Sequence, residues 1–203
     1  MTLSPASATS IWNLPNALTA LRVACVPVLV GLLVLSVRSD VPANWILRIA
    51  AMLVFVGASI TDLLDGRIAR ARGLETDFGR IADPIADKAL IGAALIFLSA
   101  VGEVPWWITM VIMIREVGIT VLRLVMVRRR VIPAGSWGKT KTVVQVVALS
   151  MLIVAPLPAD WGLDGAIVGL WWALCVIALL VALVLTVGTG VQILVQVARS
   201  RPA

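Results

Sequence analysis

The sequence predicts an all-α integral membrane protein with six transmembrane helices and a short interfacial segment ahead of the first. Three observations predict it. The chain is 203 residues long and 61% apolar, with a mean hydropathy of +1.04, well outside the range of soluble domains. Apolar runs long enough to cross a bilayer, roughly 20 residues each, recur along nearly the whole length. They leave no room for a separate soluble domain, so residues 1–203 read as one membrane domain. The charges, finally, are gathered into a few connecting segments rather than spread evenly.

The elements follow in order. The opening SIWNLPNALTALR joins a turn-forming Asn-Leu-Pro-Asn to an amphipathic start, so residues 10–18 are expected to lie along the membrane surface. Span one runs from Leu18 to Val37 and span two from Trp45 to Thr61, straight into a charged stretch. Further spans are expected at Pro84 to Val101, Pro105 to Val127 and Thr142 to Pro156, with a last run from Leu163 to Val197. That last run is too long for one untilted crossing, and Gly188 and Gly190 mark where it is expected to bend or leave the bilayer. Trp106, Trp107, Trp171 and Trp172 are placed to serve as interfacial belt residues.

Six spans put both termini on one side. Arg67, Arg70, Arg72, Arg80 and Lys88 fall between spans two and three, Arg128, Arg129, Arg130, Lys139 and Lys141 between four and five, and Arg199 and Arg201 in the tail. Most of the 17 basic residues thus share a face, which the positive-inside rule makes cytoplasmic. The opposite loops hold little beyond Arg38 and Arg48. The net charge of +6 is accounted for by this anchoring on an anionic leaflet, and nothing resembles a nucleic-acid-binding module. Cys25 and Cys175 lie inside apolar runs without metal-ligand spacing and read as core residues. There is no histidine and no tyrosine, so any proton transfer falls to carboxylates, lysines or cysteines.

More than half of the eleven acidic residues crowd into DLLDGRIARARGLETDFGRIADPIAD: Asp62, Asp65, Glu75, Asp77, Asp83 and Asp87. The pattern is Asp62-x2-Asp65-Gly66-x2-Ala69-Arg70-x8-Gly79-x3-Asp83-x3-Asp87. On helices, residues three or four apart share a face. The pairs Asp62/Asp65 and Asp83/Asp87 on neighbouring helices therefore make a four-carboxylate pocket. Such a cluster repels itself unless cations compensate it. Oxygen-only donors call for a hard divalent ion, Mg²⁺ or Mn²⁺, and paired ions are the usual machinery for displacement at phosphorus. Gly66 and Gly79 permit close approach of a ligand, and Arg70 can present a planar fork to phosphate oxygens. Arg67, Arg72, Glu75, Asp77 and Arg80 fit a solvated connector instead, the ordinary meaning of charge at a membrane face.

This pattern is similar to the signature of the CDP-alcohol phosphotransferases, membrane enzymes that move a phosphatidyl or similar group from a CDP-linked donor to an alcohol. Every signature position is filled. The resemblance implies six transmembrane helices, a cytoplasmic-side active site, a homodimer and two divalent metal ions, Mg²⁺ or Mn²⁺. It implies that Asp62, Asp65 and Asp83 are metal ligands, with Asp87 a further ligand and the general base. Gly66, Ala69, Arg70 and Gly79 would line the cytidine and pyrophosphate pocket.

The acceptor has to be sought elsewhere. Arg115, Glu116 and Arg123 lie inside the apolar span four, where ionisable groups ordinarily face an interior site; Glu116 and Arg123, seven apart, share a face and can form a structural ion pair. Lys139 and Lys141 border span five beside Gly138. These cations, Arg115, Arg123, Lys139 and Lys141, suit an acceptor that carries a phosphate. The segments NLPNALTALR, REVGITVLR and GKTKT resemble the branch of the family that uses CDP-diacylglycerol as donor and sn-glycerol 3-phosphate as acceptor, in the bacterial plasma membrane. That implies phosphatidylglycerol phosphate and CMP as products. Sister enzymes taking phosphatidylglycerol or inositol phosphate stay open, as do a cation transporter and an inactive scaffold of the same fold. Transport sites lie near the bilayer midplane, whereas these aspartates fall at the cytoplasmic ends of their spans.

Overall fold

A computed structural model describes residues 14–38, 44–72, 77–126 and 136–199. Among them there is no strand. Six long helices and a short one form the chain: α1 Leu14–Ser36, α2 Asn44–Arg72, α3 Asp77–Ala100, α4 Trp106–Met126, α5 Ser136–Ile153, α6 Leu157–Asp160 and α7 Gly165–Arg199. Four stretches, Ala17–Ser36, Asn44–Thr61, Thr140–Asp160 and Gly165–Arg199, are long and apolar enough to cross a membrane. The protein is an all-α membrane protein. Of the expected interfacial segment, residues 10–13 lie outside the described residues, and from Leu14 it is continuous with the first span. The charged stretch is more helical than hydropathy indicates: α2 runs on to Arg72 and α3 begins at Asp77, seven residues ahead of the expected span. The arginines, leucines and alanines of this stretch are good helix formers, and charge ends a hydropathy segment without ending a helix. Within α1, Pro27 sits inside the helix, a substitution that neighbouring helices make tolerable in a bundle.

The core is a seam of aliphatic and small residues. Leu29 and Leu33 of α1, Phe55 of α2 and Leu90, Ile91, Leu95 and Leu98 of α3 are essentially inaccessible, as are Ile112 of α4, Leu149 and Leu152 of α5 and Cys175 of α7. The stripe 90, 91, 94, 95, 98 along α3 has helical spacing, and α3 packs on α1, α4 and α5. Buried alanines at 51, 58, 86, 94, 148 and 182 let helix backbones approach closely, as in membrane bundles generally. The outer surface is apolar too, with Leu53, Ile114 and Val184 well exposed, as expected of faces turned to lipid. Several hydroxyls in the helices are satisfied by their own backbone: Ser59 donates to the Phe55 carbonyl at 2.8 Å and Ser150 to that of Val146 at 2.7 Å.

The turn from α3 to α4 is closed by Gly102 at φ +81°, a left-handed conformation that glycine adopts without strain. It places Glu103 beneath α2, where Arg48 meets it with a planar fork, Nη1 to Oε2 at 3.0 Å and Nη2 to Oε1 at 2.6 Å. Arg48 Nη1 also donates to the Ile153 carbonyl at 3.2 Å, so one residue ties α2, the α3–α4 turn and α5 together. The sequence places Arg38 and Arg48 on this face without a partner, and Glu103 is the partner of Arg48. The last apolar run is a single helix of 35 residues, unbroken through Gly188 and Gly190, in place of the expected bend.

Candidate active site

The connections bring the C-terminal ends of α2, α4 and α7 and the N-terminal ends of α3 and α5 to one end of the bundle. Asp62 stands ten residues before the end of α2, Asp87 ten after the start of α3, Glu116 ten before the end of α4 and Thr189 ten before the end of α7. At about 1.5 Å per residue these positions share a depth of about 15 Å. Lys141, only five residues into α5, meets Glu116 as well, so side-chain contacts and not register alone gather these residues. The backbones carrying Asp62, Asp65, Gly66, Ala69, Arg70, Gly79 and Asp83 are helical, and their side chains lie outside the described residues, as do those of Arg123 and Lys139.

Asp87 is half-buried, and its Oδ2 accepts a hydrogen bond from Lys88 Nζ at 2.7 Å. Lys88 Nζ also reaches Glu116 Oε2 at 2.7 Å. Glu116 is 2% exposed, and its other oxygen, Oε1, accepts from Arg115 Nη1 at 3.0 Å and from Lys141 Nζ. A single carboxylate thus collects cations from α3, α4 and α5. Arg115 continues the network: its Nη2 donates to Thr189 Oγ1 at 2.7 Å, and the Thr189 hydroxyl donates to the Leu185 carbonyl at 2.7 Å. The neighbouring Gly190 leaves room for this arginine, because a Cβ there would lie 3.0 Å from its Cγ and 3.1 Å from its Nε.

These contacts refine the sequence reading. Among the described residues Glu116 pairs with Lys88, Lys141 and Arg115; the expected pair with Arg123 lies outside them. Arg115 has both terminal nitrogens committed to Glu116 and Thr189. Lys88, which sequence reasoning took as a positive-inside charge, joins Asp87 to Glu116. The signal that would have found it is its place next to the last aspartate of the pattern. Lys88, Arg115 and Lys141 outnumber the carboxylates of Asp87 and Glu116, so the described part of the layer carries excess positive charge inside an apolar bundle. Such an excess is costly unless an anion compensates it.

Two further features bear on the site. A cavity of about 200 Å³ opens between α1 and α2, lined by Leu21, Cys25, Leu53, Val54 and Gly57 and by the polar Arg22 and Thr61. Thr61 immediately precedes Asp62 in the chain. As for a metal, the described part of the donor set is the Asp87 carboxylate, a hard oxygen donor at the same depth as the backbone of Asp62. The chemistry of that donor fits a divalent ion such as Mg²⁺.

The described helices define a membrane protein with Asp87 set against a cluster of cations inside the bundle. Comparison with known proteins specifies which kind. The family model for CDP-alcohol phosphatidyltransferase matches residues 12–188. A probable phosphatidylglycerophosphate synthase of Mycobacterium tuberculosis is 44% identical over 189 residues, covering 93% of this chain and 83% of the relative. The CDP-diacylglycerol–glycerol-3-phosphate 3-phosphatidyltransferase of Bacillus subtilis is 36% identical over 162 residues, with 74% and 81% covered. The enzyme of that name from Rickettsia bellii is 41% identical over 146 residues, with 70% and 75% covered. The chain belongs to the CDP-alcohol phosphatidyltransferase family and is a phosphatidyltransferase.

Proposed function

We propose that the protein transfers the phosphatidyl group of CDP-diacylglycerol to sn-glycerol 3-phosphate, forming phosphatidylglycerol phosphate and CMP. The observation that supports the acceptor is the gathering of Lys88, Arg115 and the buried Lys141 on Glu116, next to Asp87, among the described residues. The names of the relatives support the same reading. Asp87 takes the proton of the acceptor hydroxyl. The freed oxygen forms a bond to the phosphorus that bears diacylglycerol, and the bond from that phosphorus to the bridging oxygen breaks, releasing CMP. Lys141, with Lys139 and Arg123, holds the acceptor phosphate. Arg115 serves this group from behind, through Glu116.

Asp62, Asp65, Asp83 and Asp87 would hold two divalent ions, Mg²⁺ or Mn²⁺; when bound, these lower the pKa of the acceptor hydroxyl and neutralise charge on the pyrophosphate. Gly66, Ala69, Arg70 and Gly79 form the cytidine and pyrophosphate side of the pocket. An acyl chain of the donor enters laterally from the bilayer, and the apolar cavity between α1 and α2 suits it. The enzyme crosses the bacterial plasma membrane six times, with both ends and the active site on the cytoplasmic side, and works as a homodimer. Incubation of the purified protein with CDP-diacylglycerol, glycerol 3-phosphate and Mg²⁺ tests the reaction by mass spectrometry of the extracted lipid. Phosphatidylglycerol phosphate should form, and EDTA should abolish it. Cardiolipin from added phosphatidylglycerol, or no lipid product at all, would contradict the assignment.

A further inference from the structure

We propose that Glu116 is a positioning residue for the acceptor, acting through Lys141 without touching substrate; this rests on the reading that Lys141 holds the acceptor phosphate. The geometry is unusual for a residue with only a structural task. A helix-stapling ion pair needs one cation, yet the two oxygens of Glu116 receive three, from Lys88 at 2.7 Å, Arg115 at 3.0 Å and Lys141. The residue is 2% exposed and Lys141 is 3% exposed, so solvent does not share the task of fixing either side chain.

Each cation has a different amount of hydrogen-bonding capacity left. Arg115 gives one N–H of each terminal nitrogen to Glu116 and Thr189, and its Nε, buried without a partner among the described residues, is covered by α7 at Gly190. It is fixed in place and in turn fixes Glu116. Lys88 divides its donors between Glu116 and Asp87. Lys141 has an ammonium with three donors and gives one to Glu116. It keeps two N–H donors for an incoming phosphate without leaving its anchor.

A lysine has four rotatable bonds and a strongly hydrated head, and left alone beside two other cations it would be repelled from them. Glu116 removes that freedom. It draws the Lys141 ammonium to the layer shared with Asp87, so the phosphate of the acceptor and its hydroxyl are presented to one region. The anchor reaches further than α4, because Arg115 carries it to Thr189 on α7. The last helix, whose sequence carries no substrate motif, thereby supports the acceptor site.

The test is a steady-state measurement of CMP release with each substrate varied in turn, on the detergent-purified protein and its variants. Glu116→Gln should raise the KM for glycerol 3-phosphate on the order of tenfold, the loss of one charge-assisted hydrogen bond. The KM for CDP-diacylglycerol should stay within about twofold, because uniform binding is lost on the acceptor side only. Glu116→Asp, which keeps the charge but shortens the reach, should fall between, and it supplies the same readout if Glu116→Gln does not fold. The Glu116→Gln/Lys141→Met double variant should be no worse for the acceptor than Lys141→Met alone, since both act through one ammonium. Equal increases in both KM values, or effects of the two substitutions that multiply, would overturn the proposal. A wild-type enzyme that ignores glycerol 3-phosphate altogether would instead overturn the acceptor assignment, an outcome distinguishable from the other two.

Discussion

Replacing Glu103 by glutamine should destabilise the protein without slowing it. Glu103 and Arg48 form a two-point ion pair with side chains 12% and 7% exposed, at the end of the bundle opposite Asp87. Breaking a buried pair by removing one partner costs about 3–5 kcal/mol, because the other charge is left uncompensated. Arg48 keeps its bond to the Ile153 carbonyl, and the turn position of Glu103 lets water reach the vacated side, which brings the cost down to about 2–3 kcal/mol. At about 2–4 °C per kcal/mol for a chain of this size, Tm should fall by roughly 5–10 °C. The Arg48→Met/Glu103→Leu double variant, which removes both charges, should return to within about 1 kcal/mol of the wild type. Thermal unfolding in detergent, followed by tryptophan fluorescence, reads the stability. CMP release per folded molecule at low temperature reads the activity. A Tm unchanged by Glu103→Gln, or a double variant as unstable as the single one, would refute the idea that this pair fastens the α3–α4 turn beneath α2. A loss of activity matching the loss of charge would refute the separation of the two ends.

Other consequences concern the active layer. Asp87→Asn should lower turnover by about 100-fold or more, the range for loss of a general base, while CDP-diacylglycerol binding measured by equilibrium methods is retained; near-normal turnover would remove Asp87 from the role of base. Gly190→Val should raise the KM for glycerol 3-phosphate by roughly threefold to tenfold, by pushing Arg115 off one of its two partners. Gly188→Ala, with nothing within 4 Å of its added Cβ, should leave both KM values alone. Gln145 is 1% exposed with neither amide atom hydrogen-bonded, so Gln145→Leu should raise stability by about 1–2 kcal/mol, seen as a higher Tm; a lower Tm together with a weakened acceptor KM would assign the amide to substrate.

Much of the fold was legible because membrane helices are specified by length and apolarity. The six long helices fall where the apolar runs place them. Their ends were less legible where charge continues a helix, as from Asp62 to Arg72 and from Asp77 to Asp83, since hydropathy measures solvent preference and not backbone conformation. The aspartate spacing was readable because residues three and four apart share a helix face, a local rule. Glu116 was different. Its partners Lys88 and Lys141 come from other helices, and no spacing within α4 encodes them. The bend expected at Gly190 is absent for a related reason. Glycine in a long helix commonly marks a bend, but here it makes space for Arg115 on a neighbouring helix. The Arg48–Glu103 pair was missed because each residue, taken singly, looks like an ordinary charge near a helix end.

The most direct test of the central claim is CMP release from CDP-diacylglycerol by the purified protein with Mg²⁺, comparing glycerol 3-phosphate, phosphatidylglycerol and inositol phosphate as acceptors. Turnover with glycerol 3-phosphate alone is the expected result. Equal or faster turnover with either of the other acceptors would contradict the assignment of the cation cluster to glycerol 3-phosphate, and no CMP with any of them would contradict phosphatidyl transfer itself.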